Sequence, residues 1–168
     1  MSIEYLSMQA RAGANALQIF DSWVGAVNST EYEQAIFPHM KRIISTVKSR
    51  FPNLPLAMNG VGVDHLVSTW AKLPLDVIAL DWRSSLGEAK DRGVTQTVQG
   101  NLDPAYLYAD TKIIAKVVDE ILIDGVRHGK HIFNLGHGVF PEADPAKLHW
   151  LTDYVHEKSR ELWARESR

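Results

Sequence analysis

Five short apolar runs, each followed by a segment with helical spacing, constrain this chain more than any other feature. The runs are Ala16-Leu17-Gln18-Ile19-Phe20, Leu54 to Gly60, Val77-Ile78-Ala79-Leu80, Thr97 to Asp103, and His131 to Val139. Apolar runs of this length read as strands buried on both faces, and strands that alternate with helices build a parallel sheet. The expected fold class is therefore α/β, with about five βα units.

The intervening segments read as helices. Residues 2–13 form the first, with Ser2 as its cap and Gly13 as its end. Ser29-Thr30-Glu31 opens a long helix with Ile36, Met40, Ile43, Ile44 and Val47 on one face, and Pro38 near its start predicts a break or late start. Asp64 is positioned to cap a short helix over 64–72, and Leu86 to Arg92 predicts another, closed by Gly93. Asp110 to Asp124 predicts a helix with Ile113, Ile114, Val117, Val118 and Ile121 inward. The last helix runs from Ala146 to about Ala164, with Leu148, Leu151, Val155 and Leu162 at helical spacing.

Composition narrows the function classes. A net charge of -2 with both signs dispersed provides no basic stripe, which argues against nucleic acid or a membrane surface as partner. The absence of cysteine excludes disulfides, thiolate metal sites and a cysteine nucleophile, and fits a reducing cytoplasm. No apolar run approaches the ~18 residues of a membrane span, and the first residues lack a signal-peptide core. The length suits one domain over 1–168, with no linker or repeat beyond the βα unit.

Polar residues collect where the strands end: Asp21 and Ser22, Asn59, Asp81 and Arg83, Asn101 and Asp103, then Asn134 and His137. In a parallel sheet these ends share one rim, so groups distant in sequence can surround one ligand. His137 stands between Gly136 and Gly138, where a missing Cβ permits unusual backbone angles and close approach. It can bind an anion or move a proton, and Arg83 can bind a carboxylate. Each residue also has a plainer role. Ser22 and Asp103 suit turns, Asp81-Trp82-Arg83 suits a local ion pair with a packed indole, Tyr106 and Tyr108 suit packing at a helix start, and His137 suits a tight turn. The remaining histidines lack metal spacing, and His149 with His156 suits a solvated face. The glycine turns match neither GxGxxG nor a Walker motif.

Four segments together carry a resemblance: Ala12-Gly13-Ala14 with Leu17 to Trp23, Leu80-Asp81-Trp82, Gly100-Asn101-Leu102-Asp103-Pro104, and His131 to Gly138. In this order and spacing the chain resembles the C-terminal half of the uroporphyrinogen decarboxylase family. The resemblance implies a (β/α) barrel with the substrate in its C-terminal mouth. It implies removal of CO2 from the four acetate groups of uroporphyrinogen III, giving coproporphyrinogen III without metal or organic cofactor. A protonated pyrrole would act as the electron sink, with enzyme charges holding the substrate and offsetting the developing positive charge. Ser22 and His137 match substrate-binding positions, and His137 would contact a carboxylate or assist proton transfer. The family's arginine-rich loop, central aspartate and site tyrosine have no counterpart here. Corrinoid methyltransferases share the implied fold, but the GNLDP and FNLGHG segments and the lack of cysteine favour the decarboxylase family.

A complete barrel takes ~250 residues and rarely under ~200, so 168 residues imply a partial TIM barrel of about five units. Its open edges and apolar surface would need cover. Three outcomes are expected: a fragment or truncated gene product, the C-terminal subunit of a split enzyme with a separate N-terminal half chain, or a homo-oligomer. An oligomer or an extensive sheet rearrangement is favoured over a lone half barrel. Turnover by the chain alone is not expected. The alternative is a non-catalytic tetrapyrrole-binding or interaction module.

Overall fold

The computed structural model describes residues 1–166. The chain forms α1 (Ser2–Arg11), β1 (Leu17–Asp21), α2 (Ser29–Glu31), α3 (Phe37–Arg50), β2 (Leu56–Gly60), α4 (Val67–Trp70), β3 (Val77–Ala79), β4 (Thr97–Leu102), α5 (Thr111–His128), β5 (His131–Leu135) and α6 (Pro145–Glu166). All neighbouring strands are parallel, in the order β1-β2-β3-β4-β5. The fold is thus an unclosed partial barrel, and the sheet is not rearranged.

Register separates two faces. Ile19, Met58, Ile78, Val98 and His131 stand in one row toward the helices. There Met58, Ile78 and Val98 are fully buried, in a core shared with Ile44, Leu66 and Trp70. A second cluster joins Leu102, Ile114, Val118, Leu122, Leu151 and Val155 beneath α5 and α6. The opposite row is Phe20, Asn59, Ala79, Gln99 and Ile132. It has no helical cover, and Phe20 is 70% exposed. The expectation of strands buried on both faces therefore holds on the helix side only.

Local chemistry explains where elements start and stop. Asn28, rather than Ser29, caps α2, its side chain accepting the Glu31 N–H at 2.9 Å. A π-helical turn, Tyr32–Ile36, precedes Pro38 and absorbs the backbone change that proline imposes. α5 ends at Gly129, whose φ of 92° only glycine adopts cheaply.

Other expectations are corrected. Met1 occupies the N-cap of α1, so Ser2 is inside the helix. Asp64 starts a 3-10 turn but does not cap it. Its carboxylate pairs with Arg92 at 2.7 Å instead. Leu86 to Arg92 forms successive turns rather than a helix: Gly87 is a poor helix former and lies against the Asp124 carboxylate. On α5 the buried stripe is Ile114, Val118, Leu122 and Gly125, which turns Ile113 outward at 50% exposure.

Candidate substrate site at the strand ends

Ser22 and His137 lie on loops that follow the two edge strands, β1 and β5. The fold nevertheless brings them to one cleft of about 490 Å³. Gln18, Phe20, Asn59, Val61, Gln99, Asn134 and Val139 also line it. The cleft occupies the uncovered face at the C-terminal ends of the strands, the position where parallel α/β proteins bind ligands. Among these residues none carries a fixed charge, so His137 is the cleft's one group able to become cationic.

The two glycines beside His137 have different roles. A Cβ on Gly136 would stand 2.6 Å from the Trp82 backbone nitrogen, so this position needs glycine for close packing. Gly136 also donates its N–H to the Leu102 carbonyl at 2.7 Å, extending the ladder one residue past β5. A Cβ on Gly138 would meet nothing within 4 Å. His137 itself is exposed and packs edge-to-face against Trp82, with centroids 6.2 Å apart at 83°. Ser22 is exposed and caps no helix: the 3-10 turn that follows begins at Trp23 without a side-chain cap. The residue lies in the turn after β1, on the lining of the cleft.

Several rim residues named from sequence do not reach the cleft. Asp21 belongs to the helix-side face and lines a groove with Tyr5, Leu6, Met40 and Ile43, where burial raises its carboxyl pKa. Asp81 is fully buried beneath the rim. It accepts N–H bonds from Gly62 at 2.5 Å and Arg83 at 3.1 Å, and pairs with the Arg83 guanidinium at 2.9 Å. Arg83 also stands 4.0 Å from the centre of the Trp82 ring, so the plainer role of this tripeptide is the observed one. Asn101 is buried and donates to the carbonyls of Asp81 and Ser84. Asp103 caps the 3-10 turn Pro104–Tyr108 by accepting the Ala105 N–H at 2.9 Å. Tyr106 packs in the second core, whereas Tyr108 is exposed and stacks on Phe140.

The sequence reading missed Gln18 and Gln99, which line the cleft, and the contact between Trp82 and His137. The signal for the first was present. A polar residue within an apolar strand marks the face without helical cover, as Gln18, Asn59 and Gln99 do. Among the described residues no group of three His, Asp or Glu side chains is arranged to hold a metal ion. No helix among them is long and apolar enough to cross a membrane.

Comparison with known proteins bears on the family and the fold. Residues 1–158 match the family model described as Uroporphyrinogen decarboxylase (URO-D). A protein named uroporphyrinogen decarboxylase from Staphylococcus carnosus (strain TM300) is 48% identical over 160 residues, covering 95% of this chain and 46% of its own length. One of the same name from Staphylococcus aureus (strain JH9) is 49% identical over 156 residues, covering 93% and 45%. The chain thus spans about half the length of the curated relatives it matches. Among solved structures, a methyltransferase from Methanosarcina mazei superposes with a TM-score of 0.75 at 18% identity, over 93% of this chain and 46% of that one. At that identity the likeness concerns the fold alone.

Proposed function

From the premise that the chain belongs to the uroporphyrinogen decarboxylase family, we propose that it supplies the C-terminal part of a tetrapyrrole-decarboxylating site. The substrate is uroporphyrinogen III and the product coproporphyrinogen III. Ser22 donates a hydrogen bond to a substrate carboxylate. His137 binds a carboxylate as imidazolium, or delivers a proton during loss of CO2. The observation that carries this reading is the meeting of Ser22 and His137 in one cleft, although 115 positions separate them.

The same cleft supports incompleteness. It holds no arginine, lysine or carboxylate. A polycarboxylate substrate needs fixed cations, and a protonated pyrrole needs an anion beside it. Both must come from a partner. The open edges of β1 and β5 are where that partner docks, each beside an apolar groove: Leu6, Met40 and Ile43 near β1, and Leu148, Leu151 and Val155 near β5. We take the partner to be a chain equivalent to the remaining half of the relatives. A homo-oligomer is the competing arrangement. In this reading 1–168 acts as one C-terminal domain, in the cytoplasm, without cofactor, membrane or nucleic acid.

The direct test is anaerobic incubation with uroporphyrinogen III, following coproporphyrinogen. The chain alone is expected to give no product but to bind substrate, with binding weakened about tenfold or more by His137→Ala, the scale of one charge-assisted hydrogen bond. Binding that ignores both His137→Ala and Ser22→Ala contradicts the assignment and favours an interaction module that retains only the scaffold.

A further inference from the structure

We propose that Trp82 is the positioning residue for His137, its indole clamped by the Asp81–Arg83 pair and setting where the imidazole stands. The proposal rests on His137 being the substrate-binding residue assigned above. Trp82 does not line the cleft, so its role is exerted through its neighbour.

Three contacts converge on Trp82. The backbone of Gly136 presses on the Trp82 nitrogen, closely enough to exclude a Cβ, which fixes the chain one residue before His137. The indole then meets the His137 ring edge-to-face at 6.2 Å. On the indole, the Arg83 guanidinium sits 4.0 Å from the ring centre, and that guanidinium is held by Asp81 at 2.9 Å. The turn itself is anchored from below. Asp81 is wholly buried, and the Asn101 amide bonds to the carbonyls of Asp81 and Ser84, bracketing Trp82 and Arg83.

His137 has the opposite character. It is exposed and makes no hydrogen bond or ion pair among the described residues. An exposed side chain without a partner populates several rotamers, and selecting one on binding costs affinity. A rigid ring against one side of the imidazole removes part of that cost beforehand. Aromatic pairs in this geometry contribute beyond their buried area, and the clamp keeps the indole itself from turning away.

The test is NMR on the full chain with ring-labelled histidine. In the unliganded protein, the His137 ring protons are expected to show a ring-current displacement and Overhauser contacts to the indole. Trp82→Leu abolishes both, and Trp82→Phe restores most of the displacement. Affinity for uroporphyrinogen III falls about fivefold in Trp82→Leu, within the range of one aromatic pair, and recovers in Trp82→Phe. Should Trp82→Leu not fold, Arg83→Gln keeps the indole and removes the clamp, and the His137 signals must shift or broaden. Unchanged His137 resonances in Trp82→Leu, or in Arg83→Gln where that variant stands in, overturn the proposal. So does equal loss of affinity in the Leu and Phe variants. If the ring signature is present but His137→Ala binds substrate like the parent, it is the binding role of His137 that fails. If His137→Ala binds weakly and Trp82→Leu binds normally, positioning alone fails.

Discussion

Asp81 accepts the backbone N–H of Gly62 at 2.5 Å while remaining fully buried. This bond joins the two sides of the cleft. Gly62 and Val61 pack against Gly25, on the loop that carries Ser22, with no room there for a Cβ. On its other side Asp81 holds Arg83, and through it the ring beside His137. Asp81→Asn replaces an acceptor of three N–H bonds with an amide that must turn one donor toward donors. Because Arg83 is half-exposed, part of the lost pairing is regained in water. The expected cost is about 2–3 kcal/mol, read from urea unfolding. A change under about 0.5 kcal/mol, the range of an ordinary surface substitution, would remove Asp81 from this role.

Gly136→Ala tests the close approach behind His137. The added methyl would stand 2.6 Å from the Trp82 nitrogen, so the strand end must shift. Overpacking of this kind costs about 1–3 kcal/mol. Gly138→Ala meets open space and is expected to leave stability nearly unchanged. Measuring both by thermal unfolding checks the asymmetry, and equal losses would contradict it.

His131 provides a pH signature independent of the cleft. Burial pushes its pKa below the ordinary 6.5. The nearby His128 lowers it further, against the raising effect of the bond to the Gly100 carbonyl at 2.7 Å. A carbonyl only accepts, so Nε2 carries a proton, and when the ring is neutral Nδ1 is the unprotonated nitrogen. Between the folded pKa and 6.5 the unfolded chain binds more protons than the native one. The His131 contribution is therefore complete above pH 6.5 and is lost as pH falls toward the folded value. His131→Gln, compared with the parent at pH 5.5 and 7.5, should show a larger stability deficit at 7.5. A deficit independent of pH would show that His131 does not titrate across this window.

The open barrel predicts uneven protection from hydrogen exchange. β2, β3 and β4 have partners on both sides, whereas β1 and β5 each have one. Outward amides of β1 and β5 should exchange fastest within the sheet. Adding the complementary half should slow them, together with the grooves along α1 and α6. Slowing that rises with the concentration of the chain alone would instead indicate a homo-oligomer.

The alternation of apolar runs and helical periods sufficed for a parallel α/β sheet, because that pattern is written locally along each element. The barrel-like sequential strand order was expected only through the family resemblance. Ser22 and His137 were named together through the family resemblance, and both line one cleft, which is what the proposed substrate role rests on. Asp21, Asp81 and Asp103 were grouped with them because each stands at a strand end, yet their local surroundings send the three to different places. Asp21 turns toward the helices, Asp81 is buried by three donors, and Asp103 is used as a cap. Contacts such as Trp82 with His137 depend on two loops meeting across the sheet, and no local pattern records them. Leu86 to Arg92 misled for a related reason: its helical spacing is real, but Gly87 and the long-range pull of Asp64 on Arg92 favour turns.

The most direct measurement of the central claim is reconstitution. The chain would be mixed anaerobically with the N-terminal half of the Staphylococcus carnosus relative and uroporphyrinogen III, and coproporphyrinogen followed over time, in parallel with Ser22→Ala and His137→Ala. The account predicts product only from the mixture, with the rate lowered at least tenfold by His137→Ala, the scale of one lost general acid–base or charge-assisted contact. A complex that assembles yet yields no product, or one that turns over equally well with alanine at 22 and 137, would contradict it.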